Sequence, residues 1–145
     1  MKLKIKKINP RAVMPMRATE YSAGADLSAC IENPITLKKG ETVKIPTGIS
    51  VEPEDKNTVI AISARSGLAS AYGITMANGI GIVDSDYRGE IIVPLINLGN
   101  SDFTVEKNMR IAQLIVIPVI FPEICEAGCL SDTTRGSGGF GSTGI

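Results

Sequence analysis

Two short stretches bring together residue types that could carry chemistry. In "NGIGIVDSDYRGEI", residues 78–91, an apolar run leads to Asp84 and Asp86, with Tyr87 and Arg88 beside them. Two readings fit: an Asx turn with a tyrosine packed across it, or a carboxylate that orients a water molecule as general base. In "ISARSGLAS", residues 62–70, a strand delivers Arg65 and Ser66 to Gly67 at the start of a short helical pattern. Backbone N–H groups, a hydroxyl and a guanidinium converging at a helix start suit a phosphate; the plainer alternative is a serine helix cap beside a solvated arginine.

Three further segments carry isolated polar residues. In "SAGADLSAC", Asp26 interrupts small and apolar residues and points away from the face shared by Ala25, Leu27 and Ala29. It is solvated, paired with an arginine, or close to a metal. In "MRIAQLIVIPV", Arg110 and Gln113 are the polar members of an apolar strand, and a separation of three puts them on opposite faces. Gln113 there is either a ligand contact or an ordinary strand rim. The chain closes on "RGSGGFGSTGI", where Arg135 and Phe140 stand among glycines and hydroxyls. Such a tail is a flexible end, or a wrap in which glycines allow close approach, Arg135 supplies charge and Phe140 a flat face for a base.

Composition narrows the chemistry. The 145 residues contain no histidine, which removes Ser-His-Asp and Cys-His nucleophile pairs and histidine-ligated zinc. A carboxylate base and an oxygen-held metal such as magnesium remain. Fifteen basic residues balance fifteen acidic ones, so net charge suggests neither a nucleic-acid nor a membrane surface. The basic N-terminus, "MKLKIKKINP", lacks the apolar stretch of a secretory signal, and a cytoplasmic location is expected. Cys30, Cys125 and Cys129 have no metal-type spacing and are expected to be reduced, and buried or inert.

The elements that must position these residues are short strands. Turn residues recur every eight to twelve positions, between runs rich in valine, isoleucine and threonine such as "NTVIAISA" and "GEIIVPLIN". This spacing predicts an all-β sandwich or barrel. Residues 66–73 are the one helical stretch. The apolar runs on either side of "DSDYR" read as a β-hairpin, and Pro94 and Pro118 predict edge strands or bulges. A single domain over residues 1–132 is expected, followed by a glycine-rich arm over residues 133–145.

Together, "AGADLSA", "ARSGLA", "NGIGIVDSDYRG", "RIAQLIV" and "RGSGGFGSTG", in that order, resemble the trimeric dUTPase family over nearly the whole chain. The resemblance implies a distorted, β-clip-like jelly roll that forms a homotrimer, with three active sites at subunit boundaries and a flexible C-terminal lid. It implies hydrolysis of dUTP at the α-phosphate to dUMP and pyrophosphate with Mg2+, keeping uracil out of DNA and supplying dUMP for thymidylate synthesis. By position, Asp84 resembles the general base and Tyr87 the residue that packs on the deoxyribose and excludes a 2′-hydroxyl. Asn78, Gly79, Ile80, Gly81 and Ile82 resemble the uracil reader, and Arg65, Ser66, Gly67 and Gln113 the phosphate contacts. Asp26 resembles the acidic residue near magnesium, reaching it through water. In the tail, Arg135, Gly141, Ser142 and Thr143 match the segment that closes on the substrate, Arg135, Ser142 and Thr143 at the γ-phosphate, and Phe140 the residue stacked on uracil.

Two other roles follow from the same pattern. A dCTP deaminase of this fold needs a proton-shuttling glutamate beside cytosine; Glu90 stands after the turn, but "DSDYRG" is the dUTPase pattern. A regulatory protein partner, bound according to the state of the lid, is compatible with catalysis, but no insertion interrupts the five segments to supply a docking surface.

Overall fold

The computed structural model describes residues 1–140; Gly141, Ser142 and Thr143 lie outside the described residues. Eleven strands and one helix follow in chain order among them: β1 (Leu3–Lys7), β2 (Ala25–Ser28), β3 (Ile35–Leu37), β4 (Thr42–Pro46), β5 (Ile49–Pro53), β6 (Thr58–Ala64), α1 (Ser66–Tyr72), β7 (Ile74–Met76), β8 (Gly81–Val83), β9 (Ile92–Asn97), β10 (Phe103–Val105) and β11 (Arg110–Pro118). A four-stranded sheet runs β2-β11-β6-β8, a three-stranded sheet runs β4-β9-β7, and β1-β5 and β10-β3 form two ribbons. Every pairing is antiparallel.

The core lies between the sheets. In β9, Val93, Leu95 and Asn97 are buried while Ile92, Pro94 and Ile96 are more open, the period-two signature of a strand with one face inward. Ile60 and Ile62 of β6, Leu27 of β2, Ile45 of β4 and Ile111 of β11 join them in one apolar cluster. Asn97, the one fully buried side-chain amide among the described residues, has its needs met: Nδ2 donates to the carbonyls of Leu37 and Ser101, each at 2.9 Å, and Oδ1 accepts from Gly99 N at 2.9 Å. Asn97→Ala strands the buried Leu37 carbonyl and unpairs the part-buried Ser101 carbonyl and Gly99 N–H, an expected loss of about 3 kcal/mol, read as a lower urea midpoint with unchanged slope.

Three local expectations are corrected. The runs flanking "DSDYR" do not pair: β8 joins β6, whereas β9 lies between β4 and β7 in the other sheet. Both runs are apolar on both faces, so their patterning names no partner, and the intervening turn carries the chain from one sheet to the other. Pro94 sits in a central strand. Its carbonyl accepts from Ala77 N at 2.8 Å, just past the end of β7, and since a residue directs N–H and C=O to the same neighbour in an antiparallel ladder, its missing N–H costs the β4 pairing nothing. Pro118 fits its expectation better, since β2 has already ended where it pairs with Thr58. Finally, Cys125 and Cys129 are exposed and Cys30 is half-buried; all three are free thiols.

The last strand ends at Pro118, earlier than the glycine content indicates. Residues 119–140 leave the sheets with no strand of their own, and expose Ile120, Phe121, Ile124 and Leu130.

Candidate active site

One cavity, of about 270 Å³, is lined by Ile62, Met76, Asn78, Gly81, Ile82, Val83, Asp84, Tyr87, Glu90, Ile91, Ile92 and Pro94. Its floor is set by a tight turn: Gly79 N donates to Met76 O at 3.0 Å and Ile80 N to Asn78 O at 2.8 Å. Gly79 adopts φ +70°, a conformation that favours glycine. β8 follows as the outer strand of its sheet, so one edge of its backbone pairs with β6 while the other presents unpaired peptide groups. Peptide N–H and C=O groups above apolar walls suit the hydrogen-bonding edge of a flat base.

Asp84 stands at the end of β8 with its carboxylate exposed, while its carbonyl accepts from Tyr87 N at 3.1 Å. The Tyr87 hydroxyl donates to Glu90 O at 3.2 Å, laying the ring over Gly89. A Cβ at Gly89 would lie 2.2 Å from that hydroxyl oxygen, so glycine is what allows the ring to lie there. Glu90 itself is tied down, one carboxylate oxygen accepting from Gly48 N at 2.7 Å.

A second cavity, of about 360 Å³, is lined by Asp26, Arg65, Ser66, Gly67 and Gln113 together with Ser22, Gly24 and neighbours. Arg65, not Ser66, is the N-cap of α1, and no side chain caps it. The serine-cap reading is therefore set aside, and the Ser66 hydroxyl is left for another partner. Leu68 N and Ala69 N both donate to Arg65 O; the N–H groups of Ser66 and Gly67 precede any intrahelical acceptor.

Arg110 and Gln113 do not face opposite sides. A register shift between Arg110 and Ala112 in the β2 pairing sets Arg110 opposite Ser28 and Gln113 opposite Asp26, two positions apart on the partner strand and so on one face. Arg110 Nη1 reaches Asp26 Oδ2 and Arg65 Nε reaches Asp26 Oδ1, each at 2.9 Å. Gln113 Nε2 donates to Ala64 O at 3.0 Å, with its amide oxygen close over Gly24. Two guanidinium groups on one carboxylate leave a net positive cluster of fixed geometry, which suits a polyanion.

Among the described residues, no group of three His, Cys, Asp or Glu side chains is placed to cage a metal. The two cavities share no lining residue. One chain thus holds these groups in two separate halves: a pocket with free peptide groups, Asp84 and Tyr87, and a cationic cluster with Asp26, Arg65, Ser66, Gly67 and Gln113. Arg135 and Phe140 line neither half: Arg135 Nε donates to Gly138 O at 2.9 Å, and Phe140 is fully exposed. Met76, Ile91 and Pro94 are wall residues that sequence reasoning missed, since nothing distinguishes them from core.

A dUTPase family model matches residues 11–144. The chain belongs to the dUTPase family. A deoxyuridine 5′-triphosphate nucleotidohydrolase of Rickettsia felis is 53% identical over 99% of this chain and 97% of its own. One from Desulfitobacterium hafniense is 48% identical over 91% and 87% respectively. The structure of the Staphylococcus bacteriophage 80alpha dUTPase with dUPNHPP matches at TM-score 0.89 and 25% identity, covering 99% of each chain. The nearly all-β body is thus a dUTPase fold, and the residues lining both cavities lie within the matched span.

Proposed function

We propose that this dUTPase hydrolyses dUTP at the α-phosphate, releasing dUMP and pyrophosphate, as a homotrimer whose active sites are each shared between copies of the chain. The observation that carries the reading is the division of the site: an apolar-walled pocket lined by Asp84, Tyr87 and Glu90, and a cationic cluster with which it shares no lining residue. Docking two copies so that one supplies each half joins base, sugar and phosphate contacts. The exposed apolar side chains of residues 119–132 support association, since Ile120 and Ile124 are at least nine-tenths exposed in one chain.

In this scheme uracil pairs with the free backbone edge of Gly81 and Ile82 below the turn at Asn78, Gly79 and Ile80. The Tyr87 ring closes against the deoxyribose, where a 2′-hydroxyl meets the ring face. Arg65, Ser66, Gly67 and Gln113 hold the phosphate chain. Asp84 accepts a proton from water as the water oxygen attacks the α-phosphorus, and the bond to the oxygen bridging toward the β-phosphorus breaks, so that pyrophosphate leaves.

Magnesium fits as an ion held by triphosphate oxygens. Both Asp26 oxygens already accept from guanidinium, so Asp26 would hold the ion through water, with the remaining lone pairs as acceptors. When bound, the ion neutralises charge on the phosphates and polarises them toward attack. Arg135 and Phe140, with Gly141, Ser142 and Thr143 beyond the described residues, form a lid over the bound nucleotide, so that residues 1–132 are the body and 133–145 the closing arm. A cytoplasmic location belongs to the same proposal, supported by three free thiols, which suit a reducing compartment.

Pyrophosphate release from dUTP, run beside UTP, dCTP and dTTP with magnesium, tests the reading. Turnover confined to dUTP supports it. Ammonia release from dCTP would transfer the site to deamination, a reaction disfavoured by the Gly48 N–H that occupies a Glu90 oxygen.

A further inference from the structure

The turn that carries Asp84 and Tyr87 lies on the surface, yet both side chains must hold position to a fraction of an ångström if they act on one nucleotide. One hydrogen bond, Tyr87 N to Asp84 O, closes the turn, and one bond of that kind leaves the intervening carbonyls free to rotate. Arg88, directly after it, supplies the missing constraint. Its Nη1 donates to Ser85 O at 2.8 Å and to Tyr87 O at 2.9 Å, so a single guanidinium nitrogen clamps two carbonyls of the turn. Its Nη2 donates to Glu52 Oε1 at 3.3 Å on β5. The other oxygen of Glu52 accepts from Lys4 Nζ at 3.2 Å, across the β1-β5 ribbon where Lys4 and Glu52 are paired in register.

We propose that Arg88 is a positioning residue: its guanidinium locks the Asp84–Tyr87 turn through the Ser85 and Tyr87 carbonyls and tethers it to the β1-β5 ribbon through Glu52. The assignment rests on the roles given to Asp84 and Tyr87 above. The two arms of the clamp differ in weight. The carbonyl bonds are charge-assisted, short, and made by a planar donor that fixes both acceptors together. The Glu52 arm is an exposed ion pair, with side-chain exposures of 48% for Arg88 and 43% for Glu52, of a kind that contributes little by itself. It sets direction more than strength. Lys4, first through its hydrogen bond and then through its charge, and Arg88 after it, hold the Glu52 carboxyl below its ordinary range. Lysine at position 88 cannot reproduce the clamp, because a point ammonium on a flexible stem does not hold two carbonyls in a fixed plane.

The test compares Arg88→Ala, Arg88→Lys and Glu52→Gln with the parent protein, using dUTP and UTP kinetics, amide exchange at Tyr87 and thermal unfolding. Misplacing a base by about an ångström costs up to a hundredfold, so Arg88→Ala is expected to lower kcat for dUTP about tenfold to a hundredfold. KM should stay within about twofold, selectivity over UTP should fall, and the Tyr87 amide should exchange faster while the unfolding temperature holds. Arg88→Lys should recover only part of the loss, and Glu52→Gln should lose less than about fivefold. A rise in KM alone would make Arg88 a substrate contact and overturn the proposal. So would unchanged kcat and exchange in Arg88→Ala, a Glu52→Gln loss as large as that of Arg88→Ala, or a kcat loss that merely follows a lower unfolding temperature. The exchange measurement needs no turnover: if the parent protein fails to hydrolyse dUTP, the assigned roles fail, while the clamp still stands or falls on the Tyr87 amide.

Discussion

Replacing Asp84 with asparagine is expected to lower kcat for dUTP by about 10²–10⁴-fold while leaving nucleotide affinity nearly unchanged. The substitution keeps the shape of the side chain and removes only its ability to take a proton. The surrounding turn survives, because it is held by the Asp84 carbonyl and by Arg88, neither of which involves the carboxylate. Among the described residues, Asp84 makes no ion pair, so no partner is stranded by its loss. Removing a negative charge near a polyanion tends to tighten binding. Titration with a nonhydrolysable dUTP analogue, beside single-turnover kinetics, separates the two effects. Full activity in the variant removes Asp84 from the role of base.

Deletion of residues 135–145 is the second large effect. The last strand among the described residues, β11, ends at Pro118, and in one chain Arg135 bonds within its own segment, to Gly138 O, while Phe140 is fully exposed. The folded body and the proposed trimer should therefore persist, with an unfolding temperature close to that of the full chain. Catalysis should fall by about 10²–10³-fold in kcat/KM, the scale of one or two charge-assisted hydrogen bonds to phosphate, each worth about 1.5–3 kcal/mol. Light scattering and pyrophosphate release check the two halves of this expectation. Dissociation of the truncated protein would instead make the tail a structural arm.

How much of this was legible in the sequence depended on the kind of signal. The β class followed from turn spacing, and the lone short helix was placed correctly because "SGLASAYG" is the one stretch with helical residues and a glycine stop; Gly73 is indeed its left-handed cap. Candidate residues stood out in the sequence where side-chain chemistry interrupts an apolar run, and the structure sets Asp26 and Arg65 on one cavity and Asp84 on the other. What failed was pairing. β8 and β9 are apolar on both faces, and such strands carry no mark of their neighbour, so adjacency in the chain was mistaken for adjacency in a sheet. Arg110 and Gln113 failed for a subtler reason: one extra residue in β11 reverses the face on which everything beyond it points, and a bulge leaves no compositional trace. That bulge is what brings Arg110 onto the same carboxylate as Arg65. Arg88 was visible as a charge, but its acceptors are backbone carbonyls, which no side-chain pattern reveals.

The central claim is that each active site is assembled from the base-reading half of one chain and the anion-binding half of another. Subunit mixing tests it most directly. Asp84→Asn lacks the base in every site, and Arg65→Ala lacks the phosphate clamp in every site, so each homotrimer alone should be nearly inactive. After the two are unfolded together and refolded, with mixed trimers verified by mass, some sites draw Asp84 from one chain and Arg65 from another, and dUTP hydrolysis should rise well above the sum of the parents. Mixed trimers no more active than their parents would mean that base and clamp must come from the same chain, and the shared site would be wrong.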